Sequence, residues 1–502
     1  MKNLHMNFLN ASLAVIGGLA LRLACGLDPV WWLAWLAPLP VLLAALRSTP
    51  RAAFVLTALA ALVASSGSFH YFALVMPLPV ALWVTVAQAL PWMLAIGVTR
   101  QAMARTASPW AVLAYPVTWC ALDTLLAHLH PDTNWGSPAY SQAGFLPAVQ
   151  VLALAGTGVL VFLLSLVPAV LALGVMRGWR TARTPALCAL VLVAASFAYG
   201  FLRIPAGAPA QGAPAQGEPV GLAVIDDFIG PRMPAALAER VWSQYERHVE
   251  ALAGQGARIV VLPEKIAVLP PADADRIRQR LSALAARTKV WLVAGIGTDD
   301  GRRKRNLAWL FAPDGRLDAN YRKHHMAPPE RNFEPGAAYD LRTIDGMRYG
   351  LAVCKDMHFS AMGRAYGGRQ AQAMLVPAWD FGVDGAYAAR LSALRGVESG
   401  FAMVRAAREG LLTVTDAYGR ILAETPSAAL PGATLLAQLP VQPAVATPYR
   451  RIGDLFGWLC TAAAVLALLK LALGRHPARQ TPPSPQTGRS APPESPRTRP
   501  SA

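Results

Sequence analysis

Apolar residues occur along this chain in long runs, and a helix that crosses a membrane needs about 20 of them. Seven such runs lie in the first 204 residues, and one more lies near the C-terminal end. We predict spans at residues 8–26, 30–47, 52–76, 80–99, 109–128, 146–176, 185–202 and 453–474. The sixth run is long enough for a tilted span or for a span with a helical extension. The pattern therefore predicts a multi-pass α-helical membrane domain with about eight spans.

Between residues 218 and 450 the pattern changes to short β-rich runs that alternate with amphipathic helices. Strands are predicted at Val220–Ile225, Arg258–Leu262, Val290–Ile296, Leu307–Phe311, Arg348–Val353, Met374–Val376, Ala402–Ala406 and Leu411–Thr415. Helices are predicted at Pro234–Ala253, Asp273–Thr288 and Ala386–Gly400. This alternation over about 230 residues is typical of a single α/β or layered α+β domain.

The composition of the remaining segments divides the chain further. Residues 1–204 form the predicted membrane domain with seven spans, and residues 451–475 form the C-terminal span. Residues 205–217, rich in Pro, Ala and Gly, are predicted to be a linker. Residues 476–502, rich in Pro, Ser and Arg, are predicted to be a disordered tail. The domain at 218–450 therefore lies between two membrane-embedded parts.

The placement of charge supports membrane insertion and gives an orientation. Charged residues make up only 15% of the chain, whereas soluble domains carry about 25%. The net charge of +17 would suggest nucleic acid as a partner, but residues 1–217 already carry 10 basic and only 3 acidic residues. Basic residues recur in alternate loops: Arg47, Arg51, Arg100, Arg105, Arg177, Arg180 and Arg183. By the positive-inside rule these loops are cytoplasmic, which places 218–450 outside and argues against nucleic-acid binding.

Three residues of the central region carry possible chemistry because each lies at or just after a strand end. They are Glu264, Lys323 and Cys354, and Cys354 is the only one of five cysteines outside the apolar runs. A thiol becomes a strong nucleophile as the thiolate, which a carboxylate base and a neighbouring ammonium promote. Taken singly, each also has a simpler interpretation: a core cysteine, a helix-capping glutamate and a solvated lysine.

A family resemblance favours the catalytic interpretation. The segments VVLPEKIAVLP, YRKHHMAPPERNFEPG and GLAVCKDMHF resemble, in order and spacing, the Glu–Lys–Cys motifs of the nitrilase (carbon–nitrogen hydrolase) superfamily. The membrane spans, with TNWGSPAYSQAGFLPAVQVLALAGTGVLVFLL and PVTWCALD, are similar to the apolipoprotein N-acyltransferases within it. The resemblance covers roughly residues 8–474 and implies a nitrilase-type αββα sandwich at 218–450. It implies Glu264, Lys323 and Cys354 as the catalytic triad.

The resemblance also implies supporting residues and shows where the chain departs from the family. Glu330 matches the second glutamate after the lysine, and Asp356 stands where the acyltransferases carry glutamate. Lys355 stands where they carry an aromatic residue, and VPAWDFG replaces their Ser-Asn-Asp-x-Trp-Phe stretch. Within that segment, Trp379 and Phe381 are possible pocket residues, although packing in the core is the simpler interpretation.

The implied activity is transfer of an acyl chain from a phospholipid to a diacylglyceryl lipoprotein through a cysteine thioester. The resemblance implies a bacterial inner membrane location, with the catalytic domain on the periplasmic side. It implies no cofactor, no metal and no nucleic-acid partner. The alternative is a membrane-tethered amidase or related carbon–nitrogen hydrolase with the same triad, which Lys355 and VPAWDFG favour.

Two further function classes are weaker. A transporter would need ionisable residues within the spans, and the candidates are few and mostly near span ends: Arg22, His70, Asp123, His128 and Lys470. A metal site would have to use His324, His325 or His358, but two adjacent histidines rarely point at one ion. We therefore expect these histidines to be solvated or hydrogen-bonded.

Overall fold

A computed structural model describes residues 2–205 and 217–473. Its N-terminal half is helical, and the bounds of the helices are α1 Lys2–Ala24, α2 Pro38–Arg47, α3 Pro50–Ser65, α4 Phe69–Val75, α5 Leu78–Ala87, α6 Ala89–Arg105, α7 Ala114–Leu129, α8 Leu146–Val149, α9 Leu152–Ala155, α10 Thr157–Arg177 and α11 Trp179–Arg203. After the central domain, α16 (Tyr449–Ile452) and α17 (Leu455–Leu473) return to the helical part. Most of the predicted linker and the whole predicted tail lie outside the described residues.

Six helical segments within the described residues are long and apolar enough to cross a membrane, which confirms the helical membrane domain. They are His5–Ala24, Pro50–Val75, Leu78–Arg105, Pro109–Leu129, Thr157–Arg177 and Trp179–Arg203. The predicted spans at 30–47 and 453–474 correspond to shorter apolar helical segments, Trp31–Arg47 and Leu455–Lys470. The first of these is not one continuous α-helix: a 3-10 helix at Trp31–Trp35 precedes α2, which begins at Pro38, a position where the missing N–H of proline costs no helical hydrogen bond.

The sixth predicted span begins later than expected. Residues 146–155 form the two short helices α8 and α9, and the long helix α10 starts only at Thr157. Gly156 between them has a φ of +74°, and a Cβ added there would lie 2.5 Å from the Tyr449 ring. The chain therefore turns at a glycine that both the backbone conformation and the close packing require.

The arginine-rich loops are held together on one face of the helical domain. The Arg100 guanidinium donates to the carbonyl oxygens of Ala45 and Ser48, the latter at 2.7 Å. The Arg177 guanidinium donates to carbonyl oxygens in the loop after α6, including that of Thr106 at 2.9 Å. These bonds bring the three basic loops predicted to be cytoplasmic to a common side.

The central region forms two sheets. Its strands are β1 Gly217–Val224, β2 Ile259–Val261, β3 Val268–Leu269, β4 Trp291–Asp299, β5 Lys304–Phe311, β6 Leu317–Arg322, β7 Leu341–Ile344, β8 Met347–Leu351, β9 Ala373–Trp379, β10 Ala402–Arg408, β11 Leu411–Thr415, β12 Ile421–Pro426 and β13 Ala433–Pro440. One sheet has the order β13-β1-β2-β4-β5-β6, with β3 paired to β4. The other has the order β12-β11-β10-β9-β8-β7. Parallel pairs form the centre of each sheet, and antiparallel pairs extend both.

Alternating burial along the strands builds a four-layer sandwich. In β1, Leu222 and Val224 face the second sheet, whereas Ala223 packs with residues of the outer helices, in accord with the two-residue period of a strand. The outer helices are α12 (Ala235–Gly254) and α13 (Pro271–Thr288) over the first sheet, and α14 (Ser360–Gly368) and α15 (Gly385–Ser399) over the second. The predicted αββα sandwich is therefore confirmed.

Candidate active site

Glu264, Lys323 and Cys354 line one cavity of about 830 Å³. Glu264 lies just beyond β2, Lys323 directly follows β6, and Cys354 lies three residues beyond β8. The two sheets pack face to face, so these strand ends meet at one edge of the sandwich. All three side chains are buried, and Lys323 is 0% exposed. The interpretation of Lys323 as a solvated charge is therefore wrong, because buried carboxylates surround its ammonium group.

The Lys323 ammonium bridges two carboxylates. Its Nζ donates to Glu264 Oε1 and to Glu330 Oε2, both at 2.7 Å. Asn306 Nδ2 donates to the same two side chains, at 2.5 Å to Glu264 and 2.9 Å to Glu330. Lys265 forms a further ion pair with Glu330. Glu330, a predicted supporting residue, thus belongs to a buried network in which two carboxylates meet two lysines.

Charge pairing sets the protonation states in this network. Burial lowers the pKa of Lys323, but Glu264 and Glu330 outweigh it and hold that pKa well above its ordinary value. Burial raises the pKa of Glu330, but Lys323 and Lys265 outweigh it and bring that pKa down to about 2. Lys323 is therefore an ammonium ion and Glu330 a carboxylate at neutral pH.

Glu330 should make folding stability depend on pH. Its folded pKa of about 2 lies below the ordinary 4.5, so its contribution is present above the ordinary pKa and is lost as the pH falls towards 2. We expect Glu330→Gln to lower the Tm most at neutral pH, with the difference from wild type shrinking below about pH 5. Thermal unfolding in detergent, followed by tryptophan fluorescence, measures this. A Tm difference that stays constant between neutral pH and about pH 3 would contradict the assignment.

The backbone and surroundings of Cys354 single it out among the five cysteines. Cys354 has a φ of +45°, a strained conformation for a residue with a side chain. Its Sγ lies 3.4 Å from the carbonyl oxygen of Trp379. Burial raises the pKa of Cys354, Glu264 raises it further, and Lys323 opposes both. The resting group is a thiol, so that a nucleophilic attack requires a base to remove its proton.

Asp356 holds the backbone around the site. Its carboxylate accepts hydrogen bonds from the backbone N–H groups of Val353, His324 and His325, at 2.8–3.0 Å, and from the Tyr321 hydroxyl at 2.7 Å. The segment after Lys323 and the segment that carries Cys354 are thus tied to one buried group.

The cavity continues from these groups into the helical domain. Trp379 and Phe381 both line it, which places the two possible pocket residues at its wall. Residues of the membrane domain complete the lining, among them Leu21, Ala64, Tyr71, Trp83, Trp92 and Trp119. A cavity with this volume and this many apolar walls suits a largely apolar ligand.

Several site residues were not predicted from the sequence. Lys265, next to Glu264, has a φ of +44° and lies 4.7 Å from the centre of the Trp379 ring. Asp132, in the loop after α7, forms an ion pair with Lys355. The only signal in the sequence was that a lysine directly follows Glu264 and another directly follows Cys354. Asp132 gave no such signal, because it lies in a distant part of the chain.

The three histidines face different partners. His324 lies 3.0 Å from the carbonyl oxygen of Ala338, and His325 stacks on Phe359 with ring centres 3.6 Å apart. His358 is buried and packs against Trp135 at 5.4 Å. The three imidazole rings therefore contact different residues.

Comparison with known proteins assigns both halves of the chain. Residues 17–170 match the apolipoprotein N-acyltransferase N-terminal domain, and residues 227–449 match the carbon–nitrogen hydrolase family. The apolipoprotein N-acyltransferase of Geobacter metallireducens is 31% identical, over 91% of this chain and 94% of that protein. The corresponding protein of Gloeobacter violaceus is 28% identical, over 93% and 94%. Among solved structures, an amidase from Nesterenkonia sp. is 22% identical over 48% of this chain and 97% of its own, with a TM-score of 0.40. The chain belongs to the apolipoprotein N-acyltransferase family of the carbon–nitrogen hydrolase superfamily.

Proposed function

We propose that this enzyme acylates the N-terminal amine of diacylglyceryl-cysteine in lipoproteins, with a phospholipid as donor and a thioester on Cys354 as intermediate. The observation that carries the proposal is the cavity, which joins Cys354 to apolar residues of the membrane helices. A soluble amide substrate needs no such passage, whereas a phospholipid has to bring its ester bond from the bilayer to the thiol. The relatives that match over most of the chain support the same activity.

In the first half-reaction Glu264 acts as general base and removes the thiol proton of Cys354. The thiolate attacks the ester carbonyl carbon of the phospholipid and forms a tetrahedral oxyanion. The Lys323 ammonium and the backbone N–H of Lys355 stabilise that oxyanion. The ester C–O bond then breaks, and the lysophospholipid leaves as an alcohol that takes the proton from Glu264.

In the second half-reaction the free α-amine of the lipoprotein attacks the thioester carbonyl. Glu264 accepts the amine proton, and the same donors stabilise the second tetrahedral oxyanion. The C–S bond breaks, the product is an amide, and the thiolate of Cys354 recovers its proton. Water in place of the amine would release a fatty acid, which is the outcome for a membrane-tethered hydrolase.

The orientation proposed here places the 218–450 domain on the periplasmic side of the inner membrane. The arginine-poor loops 76–79 and 129–144 supply residues that line the cavity, including Met76 and Asp132. The arginine-rich loops are bonded to one another, and by the positive-inside rule they face the cytoplasm. Both lipid substrates would then reach Cys354 from the outer leaflet.

Trapping the intermediate tests the function. Purified protein is mixed with a phospholipid that carries a labelled acyl chain, and its intact mass is measured before and after a diacylglyceryl peptide is added. We expect the mass of one acyl chain on the protein, stable until the peptide arrives and then transferred to it. Release of free fatty acid without the peptide would favour the hydrolase instead. Growth of a strain depleted of its own lipoprotein N-acyltransferase gives the matching test in cells.

A further inference from the structure

We propose that Lys355 and Arg331 bind the phosphate group of the phospholipid donor beside Cys354, in a subsite that a soluble hydrolase has no need for. This inference rests on the proposed function and adds the chemical group by which the donor is recognised. Lys355 directly follows Cys354, lies in the cavity wall and is only 5% exposed. Burying an ammonium group is costly, so its presence here requires an anionic partner.

Two cations converge on a single carboxylate at this wall. Lys355 Nζ forms an ion pair with Asp132 Oδ1 and donates to the carbonyl oxygen of Met326 at 3.1 Å. Arg331 donates to the same oxygen, Asp132 Oδ1, at 2.7 Å. Two positive charges therefore share one negative charge, which leaves this cluster with an excess of one positive charge.

Glu264, Glu330 and Asp380 do not neutralise that excess, because each has its own cation, and burial raises the pKa of Asp384, which also lines the cavity, to about 7. Glu264 and Glu330 are bound by Lys323, and Glu330 also by Lys265. Asp380 in the same wall forms two hydrogen bonds with Arg405. A further anion at Lys355 and Arg331 would complete the charge balance of this part of the cavity.

The unused donors suit a phosphodiester. Among the described residues, the Arg331 side chain donates only to Asp132, and it is about half exposed at the cavity. Its remaining N–H groups present the planar fork that binds two phosphate oxygens at once, while the lysine supplies a compact charge. Burial lowers the pKa of Lys355, and Asp132 offsets this only in part, so an added anion would also favour the charged lysine.

The position of the subsite fits the reaction. The phosphate and the ester bonds of a phospholipid belong to one glycerol unit, and Lys355 is adjacent to the nucleophile in the chain. A phosphate held at Lys355 would place an ester carbonyl near Cys354, while the acyl chain extends towards Trp92 and Trp119 in the helical part of the cavity. Holding the donor at two points orients the reacting carbonyl.

The test compares two acyl donors with the same fatty acid, phosphatidylglycerol in mixed micelles and a p-nitrophenyl ester, which has no phosphate. The measured quantity is the ratio of the initial rates of thioester formation on Cys354 from the two donors. We expect Lys355→Met to lower this ratio about 10- to 100-fold, as for the loss of a hydrogen bond to a charged group. Lys355→Arg, which keeps the charge, should largely preserve it.

Asp132→Asn separates a phosphate subsite from a simple ion pair between the two domains. If Lys355 serves only to hold Asp132, then Asp132→Asn and Lys355→Met lower the ratio equally, and the proposal is overturned. If Lys355 binds phosphate, Asp132→Asn removes a competing anion and the ratio is kept or rises. Arg331→Gln, at a partly exposed position, is a second variant in case Lys355→Met fails to fold. We expect it to lower the ratio as well.

The remaining outcomes are also decisive. An equal loss of rate with both donors in Lys355→Met would refute the subsite and leave the acyltransferase function intact. A wild-type protein that accepts the p-nitrophenyl ester but no phospholipid would instead refute the proposed function. Inorganic phosphate is added as a competitor in a third arm. Phosphate that inhibits through Lys355, without any preference of the enzyme for the phospholipid, would indicate a free-anion site and overturn the headgroup assignment.

Discussion

Cys354→Ala is expected to abolish acyl-enzyme formation and to lower acyl transfer by at least about a thousandfold, because Cys25, the other cysteine of the cavity lining, packs with the core of the helical domain and not with Glu264 and Lys323. Cys354→Ser keeps a hydroxyl of similar size but should also form no stable adduct, since a serine hydroxyl is far harder to deprotonate. The measurement is intact mass after incubation with phospholipid, together with transfer to a diacylglyceryl peptide. Both variants should fold, because each changes one small side chain.

Cys188→Ala provides the matched control. Cys188 lies exposed on α11, away from the cavity lining, so its removal should leave both assays unchanged. Transfer that persists in Cys354→Ala would exclude the thioester route and point to direct transfer between the two lipids. An acyl adduct on Cys354→Ser would indicate that Glu264 can activate an alcohol as well.

Local sequence patterns were enough to predict the helices and strands whose own apolar side chains form the core. The apolar runs identified the helices, and the strand predicted at Leu411–Thr415 coincides with β11. The short and edge strands β3, β6, β7, β12 and β13 were missed, as was α14. β7 has only four residues, and β13 is recognisable only by its antiparallel pairing with β1, which lies more than 200 residues earlier. Such strands form because they pair with a neighbouring strand, and their own pattern of apolar and polar residues does not reveal them.

The residues of the candidate active site also divide into those that local sequence patterns reveal and those that they do not. Glu264 and Cys354 could be named because each follows an apolar strand visible in the sequence, whereas β6 before Lys323 was missed and Lys323 was named through the family resemblance. Asn306 lies near the start of β5 and donates to both carboxylates, yet nothing in the neighbouring sequence distinguishes it from an ordinary polar residue. Asp132 reaches Lys355 from a loop of the membrane domain. Contacts between segments so far apart depend on the packing of two domains, which no local pattern encodes.

In the proposed mechanism Lys323 contributes to both stability and catalysis, so we expect its replacement to damage both. Lys323→Met keeps most of the length of the side chain but removes the charge between Glu264 and Glu330, which leaves two buried carboxylates with Lys265 and Asn306 alone. Breaking a buried ion pair by removing one partner costs about 3–5 kcal/mol. The oxyanion would lose its cationic donor as well, so thioester formation should fall by on the order of a hundredfold or more.

The pH dependence of stability and a matched variant test whether the bridging position of Lys323 causes the losses in Lys323→Met. Without Lys323 the pKa of one of the two carboxylates rises, because like charges in a buried site disfavour double ionisation. A proton taken up there relieves the repulsion, so the stability gap between Lys323→Met and wild type should narrow as the pH falls. Lys265→Met removes the other lysine but keeps the bridge between the carboxylates, and it should cost less in Tm and in rate. Equal losses in the two variants would mean that total charge matters, and not the bridging position of Lys323 between the base and its supporting carboxylate.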